Sequence, residues 1–175
     1  MFRLEVLVDE AARRAALCRD ARDGLTRTPK RVRSRWIWDE HGSALFEAIT
    51  RLPEYYLTRC ELELLAAHAG GVAQLAPAET VIELGSGASE KTALLLDALL
   101  ERRALRRFVA LDVSEPALRA AGPRIVTRYP DIEVVAVVGD LEEHLPAVPG
   151  DGRRLVAFLG STIGALEPEE RAAFL

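Results

Sequence analysis

The chain has 175 residues, of which 49% are hydrophobic and 29% charged, and this length suits one packed domain with a single core. No apolar run is long enough to span a bilayer, and the opening segment MFRLEVLVDE lacks the unbroken apolar stretch of a signal peptide. The formal net charge of −4 argues against a nucleic-acid partner, which usually meets a basic surface.

The cysteines and histidines give no sign of a disulfide or a metal site. Cys18 and Cys60 lie far apart on predicted helix faces and lack CxxC spacing, which is typical of reduced thiols in the cytoplasm. The three histidines are scattered and lack metal-ligand spacing. We therefore expect a cytoplasmic protein with no metal and no membrane partner.

The first 75 residues are predicted to form helices joined by loops. Residues 9–22 carry apolar positions at helical spacing and predict an amphipathic helix. The basic connector that follows, DGLTRTPKRVRS, is punctuated by Gly24 and Pro29, and the arginine-rich stretch Lys30–Arg35 is typical of a solvated surface. Gly42-Ser43 is expected to open a short second helix, which Pro53 ends.

A third helix is predicted from a capping box. In Thr58-Arg59-Cys60-Glu61, the threonine would accept a hydrogen bond from the first turn while the glutamate reaches back to the helix start. This helix is expected to run from Thr58 to about His68. Residues 1–75 are thus interpreted as an N-terminal helical segment ahead of a second unit at 76–175.

The second unit alternates between short apolar runs and helical stretches. Four β-branched-rich runs are candidates for buried parallel strands: TVIEL, RFVALDV, IEVVAVVG and RRLVAFLG. The helical stretches SEKTALLLDALLERR and SEPALRAAGPRIVTRY separate the first three runs, and the shorter link DLEEHLPAVPG joins the last two. This order predicts the α/β class with an open, doubly wound sheet.

The last residues, EPEERAAFL, resemble the opening turn of another helix after the fourth strand. A doubly wound sheet normally continues to further strands, because a sheet that stops here leaves an edge or a helix face unburied. We therefore expect the sheet of residues 76–175 to be incomplete and the chain to be truncated.

A glycine-rich loop follows the first predicted strand of this unit. In Glu83-Leu84-Gly85-Ser86-Gly87, glycines let the backbone turn sharply and pass close to a ligand, and a helix N-terminus follows. The dinucleotide fingerprint GxGxxG would need a third glycine where Glu90 stands, which disfavours a nucleotide-cofactor oxidoreductase. The loop matches the shorter E/D-x-G-x-G pattern of Rossmann-like methyltransferases, although a purely structural turn remains the alternative.

Two acids follow the next two strands. Asp112 ends the second run, where a carboxylate can accept hydrogen bonds from both hydroxyls of a ribose. Asp140 follows the third run, where a carboxylate and the next backbone N–H can read the edge of adenine. Either acid alone could be a helix N-cap. Together with the glycine loop they indicate a ligand at the carboxyl ends of the strands.

Several longer motifs resemble one family. The stretches RLPEYYLTR, ELGSGASEKT, ALDVSEPALR, GDLEEHL and FLGSTIG, together with the pattern W-x-W-D-x-x-G-S-x-L-F-E-x-I, are similar to those of histidine Nα-methyltransferases of the ergothioneine pathway. The resemblance implies a Rossmann-like domain that binds S-adenosylmethionine (SAM), with a second domain closing over the amino acid. It implies successive methyl transfers to the α-amino nitrogen of L-histidine, giving trimethylhistidine (hercynine), and a substrate or lid role for residues 1–75.

The resemblance also implies roles for individual residues. Gly85 and Lys91 would contact the methionine portion of SAM, Asp112 would hold the ribose, and Asp140 with Leu141 would hold the adenine. Lys91 suits this role because an ammonium pairs with a carboxylate, although a solvated helix lysine is the alternative.

Tyr55, the first tyrosine of LPEYY, resembles the family's contact to the substrate head group. A core tyrosine with a satisfied hydroxyl is the alternative. For this tyrosine the motif, and not its surroundings in the sequence, favours the substrate role.

Three positions depart from the family pattern. Ala165 stands where the family has an asparagine whose amide helps to bind the amino acid. Trp38 replaces a usual tyrosine and lacks its hydroxyl, and Leu57 replaces a usual proline. The cofactor residues are therefore all present, whereas the substrate pocket is altered.

Methyl transfer from a sulfonium is an in-line displacement whose main requirement is alignment of a neutral amine with the methyl group. No residue in this chain can be named as the base that removes the amine proton. Besides histidine methylation, two alternatives stay open: a truncated SAM-binding module without turnover, and a methyltransferase for a different amino acid. We expect the chain alone to have little activity.

Overall fold

The computed structural model describes residues 1–87, 89 and 91–175. Within these described residues there are five strands: β1 (Phe2–Val6), β2 (Thr80–Leu84), β3 (Arg107–Asp112), β4 (Glu133–Val138) and β5 (Arg154–Ala157). The α-helices are α1 (Glu10–Thr26), α2 (Glu40–Thr50), α3 (Leu57–Leu75), α4 (Thr92–Glu101), α5 (Glu115–Arg128), α6 (Leu141–His144) and α7 (Pro168–Phe174). Short 3-10 helices cover Ser34–Ile37, Leu145–Ala147 and Thr162–Ala165.

The strands form one parallel sheet in the order β1-β4-β3-β2-β5. The predicted α/β class and its four predicted strands are confirmed. The fifth strand, β1, was not expected from the sequence. It pairs with β4 from Phe2↔Val134 to Val6↔Val138, so the N-terminal segment contributes an edge strand as well as helices.

Apolar clusters lie on the two faces of the sheet, as expected for a doubly wound sheet. On one face, Phe108 and Val134 pack with residues of α4 and α5 that include Leu96 and Leu118. On the other face, a cluster joins strand residues to the α6 region and α7: Ile82, Leu84, Val109, Leu111, Val135, Val137, Leu141, Leu145 and Phe174. The buried strand runs predicted from the sequence therefore face packed helices on both sides.

The docking of β1 explains a glycine inside α5. A Cβ placed on Gly122 would overlap the aromatic ring of Phe2, the first residue of β1. Only glycine lets the ring approach the helix backbone this closely. The N-terminal strand is thus fixed both by the β4 ladder and by a matched contact with α5.

Two helix boundaries differ from the predictions, each for its own reason. Helix α2 begins at Glu40, before Gly42-Ser43, because Asp39 caps it by accepting a hydrogen bond from Gly42 N at 2.7 Å. Helix α3 continues past His68 to Leu75 because Ala69 and Ala73, on either side of two helical glycines, are buried. Tertiary packing there outweighs the low helix propensity of glycine.

The predicted capping box of α3 is wrong. The helix begins at Leu57 after Tyr56, and no side chain among the described residues caps it. Glu61 does not reach back to the helix start, because its carboxylate binds Lys91 and Gly160 instead. Across the part of the chain that the structure describes, no helix has the length and apolar character needed to cross a membrane.

Candidate functional site

The carboxyl ends of β2, β3 and β4 meet at one edge of the sheet. The register pairs Leu84 with Leu111 and Asp112 with Val138, so Gly85, Asp112 and Asp140 follow at the same edge. The chain moves from β2 through β3 to β4, and then returns to the other side of β2 as β5. Such a reversal creates a crevice at the strand ends, where α/β sheets bind ligands.

The loop after β2 has the backbone conformation that glycine favours. Gly85 has φ +66° and Gly87 has φ +48°. A Cβ on Gly85 would lie 3.2 Å from Thr162 Oγ1, so the loop after β5 approaches the loop after β2 at this point. The two loops flank the crevice, and Gly85 leaves its backbone accessible there.

Asp112 joins the glycine loop to the corner between β3 and α5. Its Oδ2 accepts a hydrogen bond from Gly87 N at 2.8 Å, and its Oδ1 accepts one from Ser114 N at 2.8 Å. Burial raises the pKa of Asp112 above its usual value, although these backbone N–H groups oppose the shift. Ser114, and not Asp112, is the N-cap residue of α5.

Asp140 has two structural partners. Its Oδ1 caps α6 by accepting from Glu142 N at 2.8 Å and Glu143 N at 3.3 Å, so the N-cap alternative holds for this acid. Its Oδ2 lies 2.5 Å from Arg35 Nη1. Leu141 is the first residue of α6 and packs against the apolar cluster on that face of the sheet.

Arg35 also binds the N-terminal helix. Its Nη2 lies 2.8 Å from Asp20 Oδ2, which accepts a further hydrogen bond from Trp36 Nε1 at 2.8 Å. Burial alone would raise the pKa of Asp20, but the hydrogen bonds from Arg35 and Trp36 hold it below its usual value. Burial opposes the charged form of Arg35, but the carboxylates of Asp140 and Asp20 raise its pKa above the usual value.

The interpretation of Lys30–Arg35 as a solvated surface is wrong for all three arginines of this stretch. Besides the contacts of Arg35, Arg31 pairs with Glu167 and Glu170, and Arg33 pairs with Glu142 and Glu170. These ion pairs join the connector to α6 and α7. Sequence composition could not reveal them, because their partners lie more than 100 positions away in the chain.

Lys91 is not a solvated helix lysine. Its Nζ lies 2.6 Å from Glu61 Oε2 on α3, and its side chain is 27% exposed. Lys91 precedes α4 directly, at the glycine-loop end of this helix. Lys91, the cation that was expected to pair with a ligand carboxylate, therefore lies at the strand-end edge and is paired there with Glu61 of the N-terminal segment.

A group of buried polar side chains lies beneath the glycine loop. Glu83 is 2% exposed, and Ser86, Ser89 and Thr92 are buried with it. Within the described residues, Glu83 Oε2 and the three hydroxyls have no hydrogen-bond partner. Burial raises the pKa of Glu83 to about 7, although the neighbouring hydroxyls of Thr92 and Ser89 and, less strongly, the charge of Lys91 oppose the shift.

Tyr55 ends a row of aromatic rings. Trp38 meets Phe46 edge to face at 5.3 Å between centroids, and Phe46 meets Tyr55 at 6.0 Å. Tyr55 is half-buried, and its hydroxyl makes no hydrogen bond within the described part of the chain. The core-tyrosine alternative with a satisfied hydroxyl is therefore not what the structure has.

Helix α2 brings this row toward the cofactor edge. Ser43 Oγ on α2 lies 3.4 Å from Ser114 Oγ, which is two residues beyond Asp112. Ala165 ends a 3-10 helix with its side chain exposed, and its carbonyl accepts from Arg31 Nη2 at 3.3 Å. The methyl group of Ala165 therefore occupies less space at this position than the asparagine of the family pattern would.

Glu90 lies outside the described residues, so the structure does not bear on the argument drawn from it against a dinucleotide loop. Sequence reasoning missed Glu61, Arg35 and Thr162 as parts of the site. The signal for Glu61 was its place after the LPEYY motif, but a local capping pattern accounted for it. Thr162 lies in the FLGSTIG motif, which was used only for the family resemblance, and Arg35 carried no local signal.

Comparison with known proteins gives a consistent picture. Residues 17–175 match the model of a family described as histidine-specific methyltransferase, SAM-dependent. The chain is 54% identical to the histidine N-alpha-methyltransferase of Mycolicibacterium smegmatis, over 91% of this chain and 50% of the relative. It is 53% identical to the protein of the same name from Mycobacterium tuberculosis, over 95% of this chain and 52% of the relative.

More distant proteins also match. The ergothioneine biosynthesis protein 1 of Schizosaccharomyces pombe is 35% identical, over 81% of this chain and 20% of that protein. A solved structure of a SAM-dependent methyltransferase from Methanococcus maripaludis has a TM-score of 0.45 at 17% identity, over 78% of this chain and 57% of that one. The chain spans about half the length of the bacterial relatives that it matches. Because the family model covers nearly the whole sequence, the chain belongs to the SAM-dependent, histidine-specific methyltransferase family.

Proposed function

We propose that this chain carries the SAM-binding part of an enzyme that methylates the α-amino nitrogen of L-histidine to give trimethylhistidine (hercynine) in ergothioneine biosynthesis. Membership of the family supports the reaction class. The observation that carries the proposal is the meeting of Gly85, Asp112 and Asp140 at one edge of a parallel sheet, beside Lys91.

The residues at this edge fit the chemistry of SAM. Asp112 accepts two backbone N–H groups, but a carboxylate has about four acceptor positions, so two remain for the ribose hydroxyls. Lys91 offers a cation to the carboxylate of the methionine portion. Gly85, with φ +66° and no side chain, leaves room for the backbone to approach that portion.

The adenine would lie at the start of α6. There Asp140 supplies a carboxylate beside the backbone N–H of Leu141, the pair that can read the donor and acceptor edge of the base. Bound SAM supplies an activated methyl group on its sulfonium. The task of the chain is then to hold the ligand still and to exclude water around it.

We propose that residues 1–75 provide the substrate side and the lid. Phe46, the middle ring of the row with Trp38 and Tyr55, lies on α2, and Ser43 of the same helix contacts Ser114 just beyond the tip of β3, next to the proposed ribose position. The Tyr55 hydroxyl is a donor that can reach a carboxylate of an amino acid. No residue of the chain is assigned as the base that receives the proton of the amine.

A second candidate is a methyltransferase for a different α-amino acid. It is favoured by Ala165 and Trp38, which lack the amide and the hydroxyl that the family pattern provides for histidine. The exposed side chain of Ala165 leaves space for a larger or less polar head group. The sheet geometry and the cofactor residues would be the same for both candidates.

Two measurements on the purified chain test the proposal. Calorimetry with S-adenosylhomocysteine should give saturable binding, while NADH, the ligand of the oxidoreductase alternative, should give none. Mass spectrometry after incubation with SAM and single amino acids should then show a small amount of methylated histidine and of no other amino acid, since the chain alone is expected to have little activity. Binding without any methylated product would favour the SAM-binding module without turnover, and binding of NADH alone would contradict the proposal.

A further inference from the structure

Glu61 on α3 touches two parts of the proposed SAM site that are distant from it in sequence. Its Oε2 lies 2.6 Å from Lys91 Nζ, before α4. Its Oε1 accepts a hydrogen bond from the backbone N–H of Gly160, in the loop after β5. One carboxylate therefore links α3, the start of α4 and the loop on the far side of β2.

The contact is partly shielded from water. The side chains of Glu61 and Lys91 are 25% and 27% exposed. A pair in such a position interacts more strongly than a fully solvated pair, whose net contribution is close to zero. The backbone N–H of Gly160 also gives the Glu61 carboxylate a second hydrogen-bond donor besides Lys91.

Gly160 lies close to both partners of the Glu61–Lys91 ion pair. It has φ +76°, a conformation that favours glycine, and a Cβ there would lie 3.0 Å from Lys91 Nζ. The chain then continues to Thr162, whose side chain lies against Gly85. The carboxylate of Glu61 thus fixes the lysine and, through Gly160, the loop that faces the glycine turn.

We infer that Glu61 is the positioning residue of the amino-acid end of the SAM site. It holds Lys91 and the Gly160 loop in the arrangement that receives the carboxylate of the methionine portion. The lysine ammonium has three N–H donors, so a bond to Glu61 leaves two for the ligand. This inference rests on the proposed function, because it needs the ligand carboxylate to meet Lys91.

Removal of Glu61 could change ligand binding in either direction, and the direction distinguishes competition from positioning. If Glu61 competed with the ligand carboxylate for Lys91, its removal would strengthen binding. If it positions Lys91, its removal leaves the lysine free to extend into solvent and releases Gly160, so binding weakens. The effect must also be confined to ligands that have an amino-acid end.

The experiment compares two ligands on the 175-residue chain. S-Adenosylhomocysteine has the amino-acid end, whereas 5′-methylthioadenosine has the same nucleoside without it. For Glu61→Ala we expect about tenfold weaker binding of S-adenosylhomocysteine, equal to about 1.4 kcal/mol, and less than about twofold change for 5′-methylthioadenosine. Glu61→Gln keeps one acceptor oxygen, which can serve either Gly160 N–H or Lys91 at their present positions, so it should recover part of the loss.

Glu63→Ala is the matched control, because Glu63 is an exposed acid on the same helix. It should change neither affinity. Amide hydrogen exchange adds a readout without ligand: the Gly160 N–H should exchange faster in Glu61→Ala than in the wild type and in Glu63→Ala. If Glu61→Ala does not fold, Glu61→Gln with both ligands decides the question.

Tighter binding of S-adenosylhomocysteine by the Glu61 variants would overturn the inference in favour of competition. Equal weakening for both ligands would reduce Glu61 to a general structural role and would also overturn it. Unchanged affinity for both would do the same. Equal binding of the two ligands by the wild type would overturn the inference, because the amino-acid end would then contribute nothing. If the wild type binds neither ligand, the proposed SAM site itself fails, and this outcome is distinct from the others.

Discussion

Arg35 Nη1 lies 2.5 Å from Asp140 Oδ2, so the residue that follows the basic connector holds the acid that is proposed to meet adenine. Arg35 and Asp140 have side chains 15% and 11% exposed, and Asp20 on α1 binds the other side of the guanidinium. The N-terminal segment and the cofactor edge are therefore coupled through a nearly buried ion-pair triad. A change at Arg35 should affect both.

Arg35→Met should lower the free energy of unfolding by about 3–5 kcal/mol, because it leaves two shielded carboxylates without their cation. Chemical denaturation monitored by circular dichroism measures this loss. Arg33→Met is the control: Arg33 pairs with Glu142 at a more exposed position, and its loss should cost about 1 kcal/mol or less. Equal losses in the two variants would contradict the buried role of Arg35.

Asp112→Ala should weaken the binding of S-adenosylhomocysteine by about 1.5–3 kcal/mol, the range for charged hydrogen bonds. The variant loses the proposed acceptor of the ribose hydroxyls and also the carboxylate that receives Gly87 N–H and Ser114 N–H. Calorimetry measures the change, with the exposed acid Asp131→Ala as control. Equal affinity in wild type and Asp112→Ala would remove the ribose role from this residue.

The four strands of residues 76–175 could be predicted from the sequence because buried parallel strands are short apolar runs that end in recognisable motifs. Gly85, Asp112 and Asp140 each follow such a run, so their common edge was predictable. The strand β1 was not predicted, although FRLEV alternates polar and apolar residues as a half-buried strand does, because its partner β4 lies far along the chain. Its partner is a matter of topology, which local pattern does not determine.

The contacts of Glu61 and Arg35 could not be predicted from the sequence for a related reason. Each carries a charge whose partner is decided by how distant segments pack, over separations of 30 residues for Glu61 with Lys91 and 105 for Arg35 with Asp140. Local rules instead offered a capping box for the first and a solvated surface for the second. In both places a short-range pattern was outweighed by a long-range ion pair.

Glu83 should make the stability of the chain fall as the pH rises. Its pKa is 4.5 in an ordinary setting and about 7 in the fold, where burial disfavours the charged form. Below pH 4.5 the group is protonated in both states and has no effect. Between these values the folded chain holds a proton that the unfolded chain has released, so stability is lost progressively up to about pH 7.

The difference corresponds to roughly 3 kcal/mol between the two ends of this range. Glu83→Gln stays neutral at every pH, so its stability should fall less from pH 5 to pH 8 than that of the wild type. Urea unfolding of both proteins at several pH values measures the difference in slope. Parallel curves would mean that Glu83 titrates normally in the fold.

Gly85→Ala should be more damaging than Gly87→Ala. Both positions have positive φ, so both substitutions carry a backbone penalty of about 1–2 kcal/mol. At Gly85 the new Cβ also meets Thr162 at 3.2 Å, whereas at Gly87 no described atom lies within 4 Å. Thermal unfolding should rank the variants accordingly, and Gly85→Ala with Thr162→Ala should recover only the steric part. An equal effect of the two single variants would argue against close contact of the loops.

Ala165→Asn should strengthen histidine binding if the chain has a weakened histidine site. The side chain of Ala165 is exposed, so an asparagine fits without displacing a neighbour, and its amide restores the hydrogen bonds that the family pattern provides. A buried charged head group needs such fixed partners to offset its desolvation. We expect the Kd for histidine, measured by calorimetry with saturating S-adenosylhomocysteine, to fall by about tenfold, the effect of 1.4 kcal/mol. Ala165→Leu is the control, because leucine has a similar size without the amide and should not improve binding. If asparagine leaves the Kd unchanged or raises it, Ala165 is matched to a different amino acid, and the second candidate function replaces the first.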